Sequence, residues 1–140
     1  MKPRNWFRAR AASLALISGI VAVATFHSAA SFARAQDQIV QLRSPQSVRG
    51  FIGGESHDSY AIRARKGQKL TVQISWHHEG SNEADFSVSE SADFSGDIVG
   101  FGTKSNGGKS WSGKILKTKI YYVYVTAHTT AHYVLKVATE

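Results

Sequence analysis

Residues 58–76 read Asp-Ser-Tyr-Ala-Ile-Arg-Ala-Arg-Lys-Gly-Gln-Lys-Leu-Thr-Val-Gln-Ile-Ser-Trp, and their alternation leaves few folds open. Before Gly67, Tyr60, Ile62 and Ala64 alternate with Ser59, Ala61, Arg63 and Arg65. Beyond it, Leu70, Val72, Ile74 and Trp76 alternate with Thr71, Gln73 and Ser75. Successive strand side chains point to opposite faces, so this period of two predicts two strands with one apolar face each. A two-residue loop at Lys66 and Gly67 would set Ile62 opposite Thr71, an inward residue against an outward one. Directly opposed residues share a face, which excludes that register. Two solutions remain: a three-residue loop with Gly67 left-handed at a bulge, or a chain that arches from one sheet to a facing one. Both make an antiparallel β domain.

The rest of the chain carries the same signal in shorter pieces. Ile39, Val40 and Leu42 form a candidate strand ended by Arg43-Ser44-Pro45, and residues 47–52 a second, closed by Gly53-Gly54. Residues 77–83 are polar with a glycine and read as a loop. Phe86 and Val88 alternate with Ser87 and Ser89. Residues 97–102 hold a short strand around Ile98 and Val99, and residues 103–108 a turn. Trp111, Gly113 and Ile115 share one face, and residues 119–126 and 132–138 are the most regular late strands. Some eight or nine short strands with turn residues between them describe an all-β fold, a single antiparallel β-sandwich of jelly-roll-like type.

The last two strands invite the same parity argument. Tyr121, Val123 and Val125 form one apolar face, and Tyr133, Leu135 and Val137 the matching one. A hairpin would pair Val125 with Tyr133 and Val123 with Leu135, setting Tyr122 beside Lys136, Tyr124 beside Val134 and Thr126 beside His132. Two tyrosines and a valine are more apolar than a free sheet surface requires. A short N-terminal strand covering them, or a partner, would account for them. Tyr122, Tyr124, His128 and His132 are therefore the candidate binding surface.

The first 35 residues belong to a different category. Lys2, Arg4, Arg8 and Arg10 precede an apolar run at residues 11–26, and Ala33-Arg34-Ala35 fits a cleavage site before Gln36. This predicts a cleaved signal peptide over residues 1–35, a β-sandwich domain over 36–140, and a periplasmic or secreted location. The apolar run is short of the ~20 residues that span a bilayer, so no stable membrane insertion is expected after cleavage. The leader holds five of the 17 basic residues and none of the ten acidic ones, leaving 12 against ten, a net charge of +2. The basic balance of the whole chain thus gives no case for nucleic acid. With no cysteine, apolar burial alone must hold the domain together.

Val48-x-Gly50, Asp58-x-Tyr60-x-Ile62, Gly67-Gln68-x-Leu70-x-Val72-x-Ile74, Tyr121-x-Val123-x-Val125 and Tyr133-x-Leu135-x-Val137 occur in that order. This pattern resembles that of bacterial pre-peptidase C-terminal domains and of the periplasmic inhibitors of goose-type lysozyme. The turn Ala64-Arg65-Lys66-Gly67-Gln68 is similar to both. The resemblance spans residues 48–137 and implies an antiparallel β-sandwich without a catalytic centre. It carries over no functional residue, because no inhibitory loop maps position by position.

Other residue groups suggest chemistry and fall short of it. Ser56-His57-Asp58 has the residue types of a hydrolase triad, but three consecutive residues cannot align nucleophile, base and orienter. Asp58 instead opens its strand. Gly108-Lys109-Ser110 resembles the end of a phosphate-binding loop, yet Thr103 stands where the first glycine belongs and a strand follows where a helix is needed. His77, His78 and Glu79, or His128 with His132, are imidazole and carboxylate ligands without a set of four. Asp85, Glu90, Asp93 and Asp97 match no calcium-loop spacing. Trp76 and Trp111 fall on core-facing positions, with sugar stacking the alternative for either if exposed. The expectation is a protein that is not an enzyme and holds no cofactor or metal. Its partner would be a protein, such as a cell-wall hydrolase that it inhibits, or a polysaccharide. The alternatives are a carbohydrate or cell-wall binding module and a structural envelope subunit.

Overall fold

The computed structural model describes residues 38–94 and 96–140. The segment read as a leader, residues 1–35, lies outside them. The described residues form ten strands: β1 (Val40–Leu42), β2 (Gln46–Gly53), β3 (Asp58–Ala64), β4 (Lys69–Trp76), β5 (Glu83–Ser89), β6 (Ile98–Phe101), β7 (Thr103–Ser105), β8 (Gly108–Lys114), β9 (Lys119–His128) and β10 (Thr130–Thr139). They make two five-stranded sheets, ordered β1-β3-β9-β5-β6 and β2-β10-β4-β8-β7. Apart from the two edge additions, β1 and β7, this is jelly-roll order. The pairing of β1 with β3 is parallel; the other pairings are antiparallel.

β3 and β4 lie in different sheets, so the parity conflict is resolved by the arch. Gly67 sits in it at φ +92°, where a side chain would be strained. The amide of Gln68 donates to the Arg65 carbonyl at 3.1 Å, and the Gln68 side chain returns to the Arg65 amide at 2.8 Å.

The last two strands do the same, which corrects the expected hairpin. β9 pairs with β3 and β5, whereas β10 pairs with β2 and β4. The chain passes between sheets through Thr129 alone, at φ +62°. Parity did not detect this because hairpin and arch deliver Tyr121, Val123, Val125, Tyr133, Leu135 and Val137 to one core. The partners differ: Tyr122 lies between Ala61 and Ser89, Tyr124 between Ser59 and Ser87, and His132 opposite Phe51.

Two further corrections concern loops. Residues 103–108 are not only a turn, since β7 occupies half of them and the reversal narrows to Asn106 and Gly107. The N-terminal strand does not cover Tyr122 and Tyr124. β1 extends the sheet edge beside β3, with the Gln41 side-chain amide donating to the Ala61 carbonyl at 3.0 Å.

Between the sheets lies one apolar layer, with Ile62, Leu70, Val72, Ile74, Val88, Tyr121, Val123, Val125, Leu135 and Val137 all buried. Trp76 and Trp111 are half-buried against it. The Trp111 indole lies over Gly113 and against Gly100 of the facing sheet, at positions that leave no room for a Cβ. Trimming Ile62 to Ala removes buried methyl groups and should cost about 2–5 kcal/mol. Arg63→Ala, on the exposed side of the same strand, should change stability by less than about 0.5 kcal/mol. Chemical denaturation of the two variants checks the face assignment, and equal losses would contradict it.

Candidate functional site

Strand polarity brings four connections to one end of the sandwich: residues 54–57, 77–82, 106–107 and Thr129. The pairings Gly53 with Thr130, Trp76 with Tyr133, and Glu83 with His128 set them side by side. The five described histidines, His57, His77, His78, His128 and His132, lie in or beside these connections.

Beneath this end a polar bridge crosses the apolar layer. The Tyr133 hydroxyl, from one sheet, donates to Asp58 Oδ2 of the other at 2.5 Å. With that proton committed to the carboxylate, the Tyr60 hydroxyl donates to Tyr133 Oη, also at 2.5 Å. Desolvation, followed by the hydrogen bonds to Asp58 and Tyr60, pushes the Tyr133 pKa far above its ordinary value. Tyr133 reaches this position because its ring lies across Gly50, its neighbour on β2, where any Cβ would strike the phenol. Tyr133 stands far from Gly50, Asp58 and Tyr60 in the sequence, and the four are thus one structural unit.

Above the bridge, Asn82 organises the longest of these four connections. Its side-chain amide donates to the carbonyls of His77 at 2.9 Å and Thr130 at 3.2 Å. Its side-chain oxygen accepts from the Glu79 amide at 2.8 Å, and its backbone carbonyl accepts from Trp76 Nε1 at 3.1 Å. His78 packs its ring against Trp76, with centroids 4.8 Å apart. A polar loop that looks featureless in sequence is therefore pinned at both ends and across its middle. Beside it Thr129, a β-branched residue, holds a left-handed conformation that glycine or asparagine would adopt more easily. Strain of this kind persists only where the surroundings over-determine it.

The predicted surface residues are divided among three places. Tyr122 and Tyr124 share the outer face of the β3-β9-β5 sheet and are half-buried. Tyr124 is held between His57, 4.5 Å away, and Phe94, 4.4 Å away. Tyr124 is therefore covered by His57 and by Phe94 from the connection after β5, and not by the N-terminal strand. His132 lies on the outer face of the opposite sheet, its ring 4.5 Å from Phe51. His128 is exposed where β9 ends, opposite Glu83. The structure joins Tyr122 to Tyr124 and separates both from His132. Among the described residues no group of three or more His, Cys, Asp or Glu converges on a metal position.

Lys109, which belongs to no phosphate loop, holds a more informative position. It faces inward from β8 and is buried. Its amine meets Asp85 Oδ2 at 2.6 Å and Glu83 Oε1 at 3.0 Å. Its stem passes under Gly102, where the chain turns from β6 into β7 and an added Cβ would meet Phe86 and Lys109. Alternation marks position 109 as inward once β8 is placed against β4; the carboxylate partners from β5 have no local signal.

No family model matches the sequence, and no curated protein is similar to it at the sequence level. Among solved structures, the fold is similar to the pre-peptidase C-terminal domain of a collagenase from Bacillus anthracis. That match has a TM-score of 0.61 at 16% identity, over 72% of this chain and 95% of that one. It is also similar to PliG of Aeromonas hydrophila, a periplasmic inhibitor of g-type lysozyme, with a TM-score of 0.59 at 19% identity, over 74% of this chain and 96% of that one. Both are the kinds of protein that the sequence pattern resembles, and both show the same fold.

The Lys109 cluster and a second one around Glu90 set the acid response. Hydrogen bonding to Lys109 holds Glu83 below its ordinary value of 4.5. Hydrogen bonding to Lys119 holds Glu90 below it too, against the opposing effect of desolvation. Carboxyl groups that ionise more readily when folded stabilise the fold above their unfolded pKa, and that gain is lost as pH falls through the folded values. Desolvation lowers the Lys109 pKa, but Asp85 and Glu83 outweigh it and leave it above 10.5, so Lys109 stays charged throughout the acid range. The melting temperature should therefore fall from about pH 5 downward. In Lys109→Met the melting temperature should be lower at neutral pH and its acid slope shallower. A thermal-melt series against pH checks this, and an unchanged slope would contradict it.

Proposed function

We propose that this protein is an exported, non-enzymatic binding protein that inhibits a cell-wall hydrolase of the goose-type lysozyme class by placing the histidine-bearing end of its sandwich in the enzyme's cleft. The observation that carries the reading is the Asn82-pinned loop. A loop fixed before contact gives up little conformational freedom on binding, which is what a blocking loop requires. The likeness to PliG, described as an inhibitor of g-type lysozyme, supplies the enzyme class.

Charge supports the same end. Glu55, Glu79, Glu83 and Asp85 lie there with Lys104 and Lys109, so this end is locally acidic although residues 36–140 carry a net +2. A cationic enzyme would be steered toward it. The carbohydrate-module alternative receives less support, because its aromatic rings are engaged. Trp76 is held by Asn82 and His78, Trp111 lies between Gly100 and Gly113, and Tyr124 is enclosed by His57 and Phe94. Among the described residues, Phe101, 60% exposed, is the aromatic that stands clear.

The direct test is titration of the chain from Gln36 onward into a goose-type lysozyme assay. Activity should fall at near-equimolar inhibitor. Asn82→Ala should weaken inhibition by roughly tenfold, as expected for one lost set of loop-ordering contacts. Full lysozyme activity at large molar excess of the inhibitor would end the proposal. Retention on peptidoglycan without any inhibition would favour the carbohydrate reading.

A further inference from the structure

The opposite end of the sandwich has a different character. Two connections lie side by side there, the β3–β4 arch and the β8–β9 crossing. They are joined by hydrogen bonds from the Gly67 amide to the Ile115 carbonyl and from the Ile115 amide to the Gln68 carbonyl, both 2.8 Å, and from the Lys66 amide to Thr118 Oγ1 at 2.9 Å. This juxtaposition gathers Arg65, Lys66, Lys69, Lys114, Lys117 and Lys119 at one pole, where they outnumber Glu90 and Glu140, the latter joined to Lys69 by backbone hydrogen bonds of 2.8 and 3.0 Å. Pairing reinforces it, because Lys69 lies opposite Lys114 and Lys119 opposite Ala64. Glu90 accepts Lys119 at 3.0 Å and Lys117 at 3.7 Å. Among the described residues, Arg65, Lys66, Lys69 and Lys114 have no carboxylate within ion-pair distance.

Leu116 lies in the β8–β9 crossing among these cations. It is 70% exposed, the most exposed large hydrophobic side chain in the described chain. Val99, itself partly exposed, and half-buried Trp111 line the same recess. A soluble polyanion would be served by the cations and gain nothing from an exposed aliphatic side chain. A lipid surface uses both, because the leucine enters the acyl boundary while the amines meet headgroup phosphates.

We infer that the arch-and-crossing end, with Leu116 as its apolar contact, docks reversibly on the surface of a membrane rich in anionic phospholipid. The contact is peripheral, made by one loop end of a strand-built domain; among the described residues no helix is long and apolar enough to cross a membrane. It is independent of the inhibitor reading, which uses the other end of the molecule, and it would leave that end facing away from the bilayer.

The chain has no cysteine, so Leu116→Cys gives a single labelling site for an environment-sensitive dye. Glu55→Cys, at the far end, is the control. Vesicles of phosphatidylcholine with roughly 30% phosphatidylglycerol should bind the chain from Gln36 onward and release it as salt rises to about 0.5 M. The dye should shift to the blue at position 116 and not at position 55. Leu116→Ser should weaken partitioning by roughly tenfold at an unchanged melting temperature. Lys114→Glu with Lys117→Glu should abolish it. Equal binding to pure phosphatidylcholine would overturn the inference, as would the absence of a dye shift at position 116. Binding to soluble polyphosphate without binding to vesicles would overturn it in favour of a free polyanion.

Discussion

Each sheet of this protein has one apolar face and only the other sheet to cover it. No disulfide or helix shares the task among the described residues, so every alternate side chain must find its contacts across the layer. That constraint decides the connections. A tight hairpin between β3 and β4 would turn one apolar row to solvent, and the arch through Gly67 is the way to keep both rows inside. The one-residue passage at Thr129 has the same origin, and the left-handed strain there is the local cost of placing β9 and β10 on opposite walls.

The apolar layer is interrupted by polar groups in two places, and each interruption ties the sheets together. Tyr133 reaches Asp58 and Tyr60 across the layer near the loop end. Lys109 reaches Asp85 and Glu83 across the edge where the chain crosses at Gly102. Buried polar groups are costly unless satisfied, and no described buried side-chain polar atom lacks a partner. Hydrogen bonds are directional where apolar contacts are not. These two bridges can therefore fix how one sheet sits over the other, something a layer of valine, leucine and isoleucine specifies only loosely.

The all-β class, the inward rows of β3, β4, β9 and β10, and the core were legible in the sequence, because burial writes itself into alternation. The partner of each strand was not. A row of Tyr121, Val123 and Val125 has the same parity whether its neighbour is β10 or β3, so periodicity assigns faces and leaves adjacency open. The site was legible in part. Tyr122 and Tyr124 were correctly placed on an outer face, while His132 was put beside them through the assumed hairpin and in fact lies on the other sheet. Asn82, Gly50 and Asp58 gave no chemical signal of their roles. Asp58 acts through Tyr133, 75 residues away, and Gly50 through the same distant ring. Asn82 acts through main-chain groups of His77, Glu79 and Thr130. None of these leaves a local side-chain pattern.

Net charge was the least informative quantity in the sequence, and the reason is geometric. Ten-residue strands such as β9 and β10 run about 30 Å end to end at ~3.3 Å per residue. Screening at physiological salt acts over ~8 Å. A partner at one end therefore experiences little of the charge at the other, and +2 for residues 36–140 averages two surfaces that no single ligand meets together. Arg65, Lys66, Lys69, Lys114, Lys117 and Lys119 define one local field, and Glu55, Glu79, Glu83 and Asp85 another. The strands place these residues at opposite poles: the end with the ordered loop carries the acidic group, and the excess positive charge lies a strand's length away.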